Sequence, residues 1–192
     1  MEKRTSFKLK YKNIYIFISL LSLIGFITGY KYYSYQSKET KTQIQDSLQI
    51  KEELNGRINN LFKRIKNHII IFICSIFIIT SVINVFKIFF DSLSIGFIFN
   101  ILKTYGTKFS LIYINLYHIV PLIFQLILIR ISFTITKLII GSIIYQKDKI
   151  IVNKLKLIIK KYILIVIFSC LYEIFVIIYS ANINNFLLTL IK

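Results

Sequence analysis

Glu173 is the residue whose type and position suggest chemistry most clearly in this chain of 192 residues. It interrupts the last apolar run of the sequence. An acid near the middle of a membrane span costs about 2.5–3.5 kcal/mol on insertion scales, so the side chain should face the protein interior. It predicts either a polar clamp between helices or part of an ion or substrate path. Arg130, Lys87 or His118 on neighbouring helices are the partners that we expect for it.

The remaining reactive side chains form no catalytic pattern. His68 and His118 lie far apart in separate apolar runs, where a lone histidine is typical of a hydrogen bond between helices. Cys74 and Cys170 also lie inside apolar runs, and no CxxC or His/Cys cluster suggests zinc. Metalloprotease, nucleophile-elbow and phosphate-binding-loop motifs are absent from the sequence. We therefore predict a protein that is not an enzyme and that uses no metal or other cofactor.

Small residues indicate where helices pack closely. Gly25-x-x-x-Gly29 and Ser92-x-x-x-Gly96 are small-xxx-small patterns, which let the backbone of a second helix approach. Pro121, the one proline of the chain, lies within an apolar run. It predicts a kink, because neighbouring helices can satisfy the carbonyl that proline leaves without a donor.

The composition defines the elements that must position these residues. Hydrophobic residues make up 56% of the chain and charged residues 17%, and the mean hydropathy is +0.68. A soluble domain is about 45–50% apolar, so we predict an all-α integral membrane bundle. The net charge is +17, but the basic residues lie mostly between apolar runs, as flanks of membrane spans do. No nucleic-acid motif is present, and we predict no nucleic-acid partner.

About five membrane spans fit the apolar runs of a single membrane domain that covers residues 1–192. A span needs about 17–25 residues, and residues 13–30 lack the A-x-A site of a cleaved signal peptide, so we expect them to be retained. Residues 88–102 are short and could instead form a re-entrant segment. The predicted spans lie near residues 13–30, 67–86, 88–102, 109–129 and 162–184.

Two basic connectors join the predicted spans. Residues 31–66 carry eight basic and four acidic side chains, and their apolar residues recur at helical spacing. This segment is either a solvated amphipathic connector, broken near Asn55-Gly56, or a docking face. Residues 130–161 are predicted to be helical and to lie mostly at the membrane interface. Basic-residue counts of 14 inside and 11 outside favour a cytoplasmic N-terminus if there are five spans, whereas four spans would give 9 inside and 16 outside and invert the orientation.

Five short motifs occur in order along the chain: Gly25-Phe-Ile-Thr-Gly29, Asp91-Ser-Leu-Ser-Ile-Gly96-Phe97, Tyr105-Gly-Thr-Lys108, Tyr117-His-Ile-Val-Pro121 and Leu171-Tyr-Glu173. Together they resemble stage II sporulation protein M and its wider family of bacterial polytopic membrane proteins. Gly stands in that family where this chain has Ser92 and Phe109, and its Pro-His/Asn order is changed here to His118 and Pro121.

The resemblance implies a multi-pass protein of the bacterial cytoplasmic membrane that acts as a scaffold. Its partners would be the lipid bilayer, wall-degrading enzymes of a peptidoglycan-remodelling complex in engulfment, and a second copy of the chain. Related proteins occur in circular bacteriocin systems, where they assist maturation, export or immunity. A small ion or solute transporter is a further alternative, which rests on Glu173.

Overall fold

A computed structural model describes residues 3–47, 54–76, 81–145 and 148–190 of the chain. Helices make up nearly all of these residues, and no strand occurs among them. The described part of the chain is therefore all-helical, as the composition and the long apolar runs predict.

Eight α-helices follow one another along the described chain. They are α1 Lys3–Ser34, α2 Lys38–Ser47, α3 Leu54–Ile76, α4 Ser81–Leu102, α5 Thr107–Ile114, α6 Val120–Tyr145, α7 Asp148–Ile178 and α8 Ser180–Leu188. A short 3-10 turn, Lys103–Tyr105, links α4 to α5, and Gly106 follows it with φ 131°. This φ favours glycine, because an L side chain rarely adopts it. A π-helical turn, Asn115–Ile119, joins α5 to α6.

Four helical segments are long and apolar enough to cross a membrane. They are Ile16–Ser34, Val82–Tyr105, Thr107–Gly141 and Val152–Ile178. Most of each segment is not buried inside the protein, and large apolar side chains such as Phe17, Phe90 and Phe168 are exposed. Exposed apolar faces of this size suit contact with lipid. A multi-pass membrane protein is the class that these helices indicate.

The helix bounds differ from several of the predicted spans. The predicted short span 88–102 lies within the longer helix α4. The predicted span 67–86 is divided between α3 and α4, with residues 77–80 outside the described part of the chain. Residues 130–145 complete α6 and residues 148–161 begin α7, so the described part of this stretch is helical, as predicted.

The helix bounds also differ from the prediction for the polar connector, residues 31–66. Helix α1 extends to Ser34, α2 is a separate short helix, and α3 begins at Leu54. Asn55-Gly56, where a break is predicted, falls in the first turn of α3. The second half of the connector is thus part of a helix that continues into the apolar residues after Lys66.

Helices α1 and α4 run side by side in the same direction. Ser22 contacts Ser92, and the Tyr30 carbonyl contacts Asn100, so both pairs are 70 residues apart in the sequence. A constant offset defines a parallel pair. The chain must therefore return between the end of α1 and the start of α4.

Helix α3 packs between α6 and α7. Ser132 and Thr136 donate to the carbonyls of Ile71 and Ser75, each 61 residues away, so α3 and α6 are parallel. Helices α3 and α7 are antiparallel. Arg64 contacts Glu173, whereas His68, later in α3, contacts Ser169, which is earlier in α7. Two apolar clusters support the arrangement, one centred on Ile71, Ile88, Leu128 and Ile129, the other on Phe109 and Ile114.

Candidate functional site

The helix that contains Pro121 is irregular immediately before the proline. The backbone N–H of Val120 donates to the Asn115 carbonyl, five residues back, so it does not bind the Leu116 carbonyl. Pro121 has no N–H for the Tyr117 carbonyl four residues before it. Two successive carbonyls, of Leu116 and Tyr117, consequently lose their usual helical donors. In a membrane segment such groups need other partners.

Side chains from two other helices bind these two carbonyls. The Arg64 guanidinium of α3 donates from Nη2 to the Tyr117 carbonyl at 2.9 Å. The Tyr172 hydroxyl of α7 donates to the Leu116 carbonyl at 2.6 Å. The helix break is therefore satisfied by the protein itself, as we expected for the carbonyl that Pro121 frees.

Glu173 lies next to this arrangement and contacts Arg64. The distance from Arg64 Nη1 to Glu173 Oε1 is 2.9 Å, and the glutamate is only 8% exposed. The contact is an ion pair by distance, and Oε1 has no further hydrogen-bond partner among the described residues. We call Arg64, Tyr172 and Glu173, around the break at Pro121, the Arg64 clamp.

The partner of Glu173 differs from the three that the sequence suggests. Lys87 instead forms an ion pair with Asp91, and His118 lines a cavity beside the clamp. The sequence places Arg64 in the polar connector, because it lies in a run of basic residues before the apolar part of α3. Its position facing α7 follows from the packing of α3, for which the sequence holds no direct signal.

His68 joins α3 to α7 by hydrogen bonds. Its Nε2 lies 3.0 Å from Ser169 Oγ, and the Tyr162 hydroxyl donates to the His68 carbonyl at 2.6 Å. These contacts match the helix-to-helix role that is typical of a lone histidine in an apolar run. They add a second polar layer to the α3–α7 contact.

The predicted small residues lie together where α1 meets α4. A Cβ built on Gly25 would lie 2.6 Å from the Phe89 carbonyl oxygen. A Cβ on Gly29 would overlap the Leu93 carbonyl, and one on Gly96 would overlap the Phe26 carbonyl. The two backbones thus touch directly. We call this contact, formed by Gly25, Gly29, Ser92 and Gly96, the glycine seam.

Hydrogen bonds line the glycine seam. Ser22 Oγ and Ser92 Oγ are 2.7 Å apart. Further along, Asn100 Nδ2 donates to the Tyr30 carbonyl at 2.7 Å and to Ser34 Oγ at 2.8 Å. Ser92 and Asn100 of α4 are therefore both paired with polar groups of α1.

A polar cavity of about 390 Å³ opens between α3, α4 and the irregular helix. Asp91 on its wall accepts from Gln125 Nε2 at 2.6 Å and lies 3.4 Å from Lys87 Nζ. The cavity is lined by Lys63, Arg64, Asn67, Asp91, Ser94, Ile95, Ile98, Tyr117, His118, Pro121, Leu122 and Gln125. No group of three or more His, Cys, Asp or Glu side chains able to hold a metal occurs among the described residues.

Comparison with known proteins adds no relative. No family model, no curated protein and no solved structure matches this chain. The class therefore rests on the fold and the site alone: the described helices indicate a multi-pass membrane protein in which side chains of α3 and α7 bind the irregular helix at Pro121.

Proposed function

We propose that this protein is a non-enzymatic membrane scaffold similar in role to stage II sporulation protein M, anchoring a peptidoglycan-remodelling complex. One observation carries the proposal. Glu173, the acid on which a transport path would depend, pairs with Arg64, whose other nitrogen caps the Tyr117 carbonyl. A carboxylate engaged in this way supports a fixed helix arrangement, which a platform for other proteins needs.

The scaffold crosses the bacterial cytoplasmic membrane five times, with its N-terminus inside. The parallel direction of α1 and α4 supports this count, because the chain must cross back between them. Helix α3 has 23 residues, and at about 1.5 Å per residue it is long enough for that return. Two of its basic side chains, Lys63 and Arg64, line the cavity, and Arg64 pairs with Glu173, which reduces the cost of crossing.

The outer side offers a surface to a wall-degrading enzyme. Helix α2 and the end of α1 are mostly exposed in their described side chains, and α2 carries Lys38, Glu39 and Lys41. An exposed, charged helix beside the membrane suits a protein partner outside the bilayer. A second copy of the chain is a further partner of this proposal.

A Glu173→Gln variant, studied in the host organism, tests the scaffold function. Glu173→Gln keeps the shape of the side chain and removes its charge, so a scaffold should keep its phenotype in cell-wall remodelling. The protein level in the membrane, measured by immunoblot, controls for folding. A Glu173→Gln protein present at the normal level but inactive would contradict the scaffold, because a path for protons or cations needs the charge itself.

Thiol accessibility tests the five crossings separately. Single cysteines at Lys51, Thr107 and Lys154, in a background with Cys74 and Cys170 changed to serine, are exposed to an impermeant thiol reagent in intact cells. We expect labelling at positions 51 and 107 and protection at 154 until lysis. Protection at position 51 would contradict the outer connector and the orientation of the scaffold.

Transport of a small polar solute is the second candidate function. The cavity between α3, α4 and the irregular helix supports it, because polar side chains in a membrane bundle often mark substrate pathways. Flux of a solute through reconstituted vesicles, lost in Glu173→Gln, would favour this candidate over the scaffold.

A further inference from the structure

The polar cavity has a surplus of positive charge. Arg64 is balanced by Glu173, and Lys87 by Asp91. Lys63 also lines the cavity, and it has no ion-pair or hydrogen-bond partner among the residues that the structure describes. One net positive charge therefore remains on the wall, and it attracts an anion.

Neutral donors surround this charge. The Asn67 amide and the His118 imidazole line the same cavity and make no hydrogen bond to any described residue. Amide and imidazole N–H groups can donate to the oxygens of an anion. Polar groups in a membrane bundle without protein partners need water or a ligand. The cavity thus presents donors of three kinds, from α3 and from the irregular helix.

The size and position of the cavity suit a phosphate group. Its volume of about 390 Å³ falls in the range of about 300–1,000 Å³ that small-molecule sites occupy. Lys63 is exposed, so the cavity reaches the surface of the protein. Basic pockets between membrane helices bind lipid head groups, and the bilayer supplies phosphate at high local concentration.

We propose that this cavity binds a negatively charged phosphate group, with Lys63 as the charged contact and Asn67 and His118 as hydrogen-bond donors. The phosphate belongs either to an anionic lipid head group or to a soluble ligand. Arg64 remains bound to Glu173 and to the Tyr117 carbonyl, and it forms a fixed part of the cavity wall. The proposal goes beyond the scaffold function and does not depend on it, because a bound phosphate group is compatible with a scaffold or a transporter.

Two probes distinguish the sources of the phosphate. Full-length protein in a neutral detergent is titrated with short-chain phosphatidylglycerol, followed by native mass spectrometry, and with inorganic phosphate at constant ionic strength, followed by thermal melting. Saturable binding of the lipid alone identifies a head-group site. Saturable binding of both probes identifies a site for the phosphate group itself. Saturable binding of neither would overturn the proposal.

Variants of neighbouring lysines test the site. Lys63→Gln should weaken binding about tenfold or more, as the loss of one charge-assisted hydrogen bond does, and Lys63→Arg should retain it. Lys66→Gln is the matched control, because Lys66 is exposed on the same helix and does not line the cavity. Binding that Lys63→Gln leaves unchanged, or that both glutamine variants weaken equally, would overturn the proposal. Melting of each variant without ligand confirms that it is folded.

Discussion

The glycine seam and the Arg64 clamp join helices by opposite means. In the seam, α1 and α4 approach until backbone meets backbone, because Gly25, Gly29 and Gly96 have no Cβ. In the clamp, α3 and α7 hold the irregular helix through long polar side chains. The seam should fail when atoms are added, and the clamp should fail when atoms are removed.

The difference follows from the environment of each contact. Lipid gives helices no hydrophobic reason to associate, so an unbroken pair relies on close packing of small residues. A helix broken by proline exposes carbonyls, which are costly in hydrocarbon unless a partner binds them. The clamp repairs such a break, whereas the seam has no unsatisfied backbone to repair.

Gly29→Ala should give the largest effect of any single change. The new Cβ would overlap the Leu93 carbonyl, so the helices must separate, at a cost of about 3 kcal/mol or more. Folded yield and thermal melting in detergent measure the loss. Gly141→Ala is the control, because a Cβ there meets nothing within 4 Å. Equal stability of the two variants would show that the seam is loose.

Glu173→Leu should rank second. It leaves Arg64 without its counter-charge beside the helix break, so we expect a loss of about 1–3 kcal/mol. Glu173→Gln should lose less, because an amide can still accept and donate in the same place. Thermal melting of both variants in one detergent makes the comparison. A leucine variant as stable as the glutamine variant would remove Glu173 from the clamp.

Tyr172→Phe should have a moderate effect. It removes only the hydroxyl that binds the Leu116 carbonyl, and such a hydrogen bond contributes about 0.5–1.5 kcal/mol. Tyr179→Phe is the matched control, since Tyr179 is exposed and its ring packs on Phe175 with or without the hydroxyl. Chemical denaturation of both variants resolves the difference. Identical curves would mean that the Leu116 carbonyl needs no side-chain donor.

Ser22→Ala should have the smallest effect. It removes the hydrogen bond to Ser92 within the glycine seam, and hydrogen bonds between membrane helices average about 0.6 kcal/mol. Ser94→Ala, which loses only a bond to the Phe90 carbonyl of its own helix, serves as the control. If Ser22→Ala were as harmful as Gly29→Ala, the seam would depend on hydrogen bonding more than on close approach.

The seam could be anticipated from the sequence better than the clamp. Small residues four apart are a local pattern, and Gly25, Gly29, Ser92 and Gly96 lie where α1 meets α4. The pairing of these two helices, and their parallel direction, had no local signal. Contact between distant segments depends on the packing of the whole bundle.

Two residues at the Arg64 clamp could be identified from the sequence, but the contacts that Arg64 and Tyr172 make there could not. Pro121 and Glu173 stood out because proline and acid are rare in apolar runs. Arg64 did not, since it is one of several basic residues before the apolar half of α3. Tyr172 did not stand out either, because tyrosine is abundant here, at 13 residues. Residues of a type that is rare in its surroundings can thus be identified from the sequence, whereas residues of a common type cannot.

The energetic coupling between Arg64 and Glu173 tests the existence of the Arg64 clamp most directly. Thermal or chemical stability is measured for Arg64→Gln, Glu173→Gln and the double variant. Each single change leaves one charge unpaired in the bundle, whereas the double change leaves two neutral amides. We expect the double variant to be more stable than the sum of the single losses predicts, by about 1–3 kcal/mol. Losses that simply add would show that Arg64 and Glu173 act independently, and the clamp would be refuted.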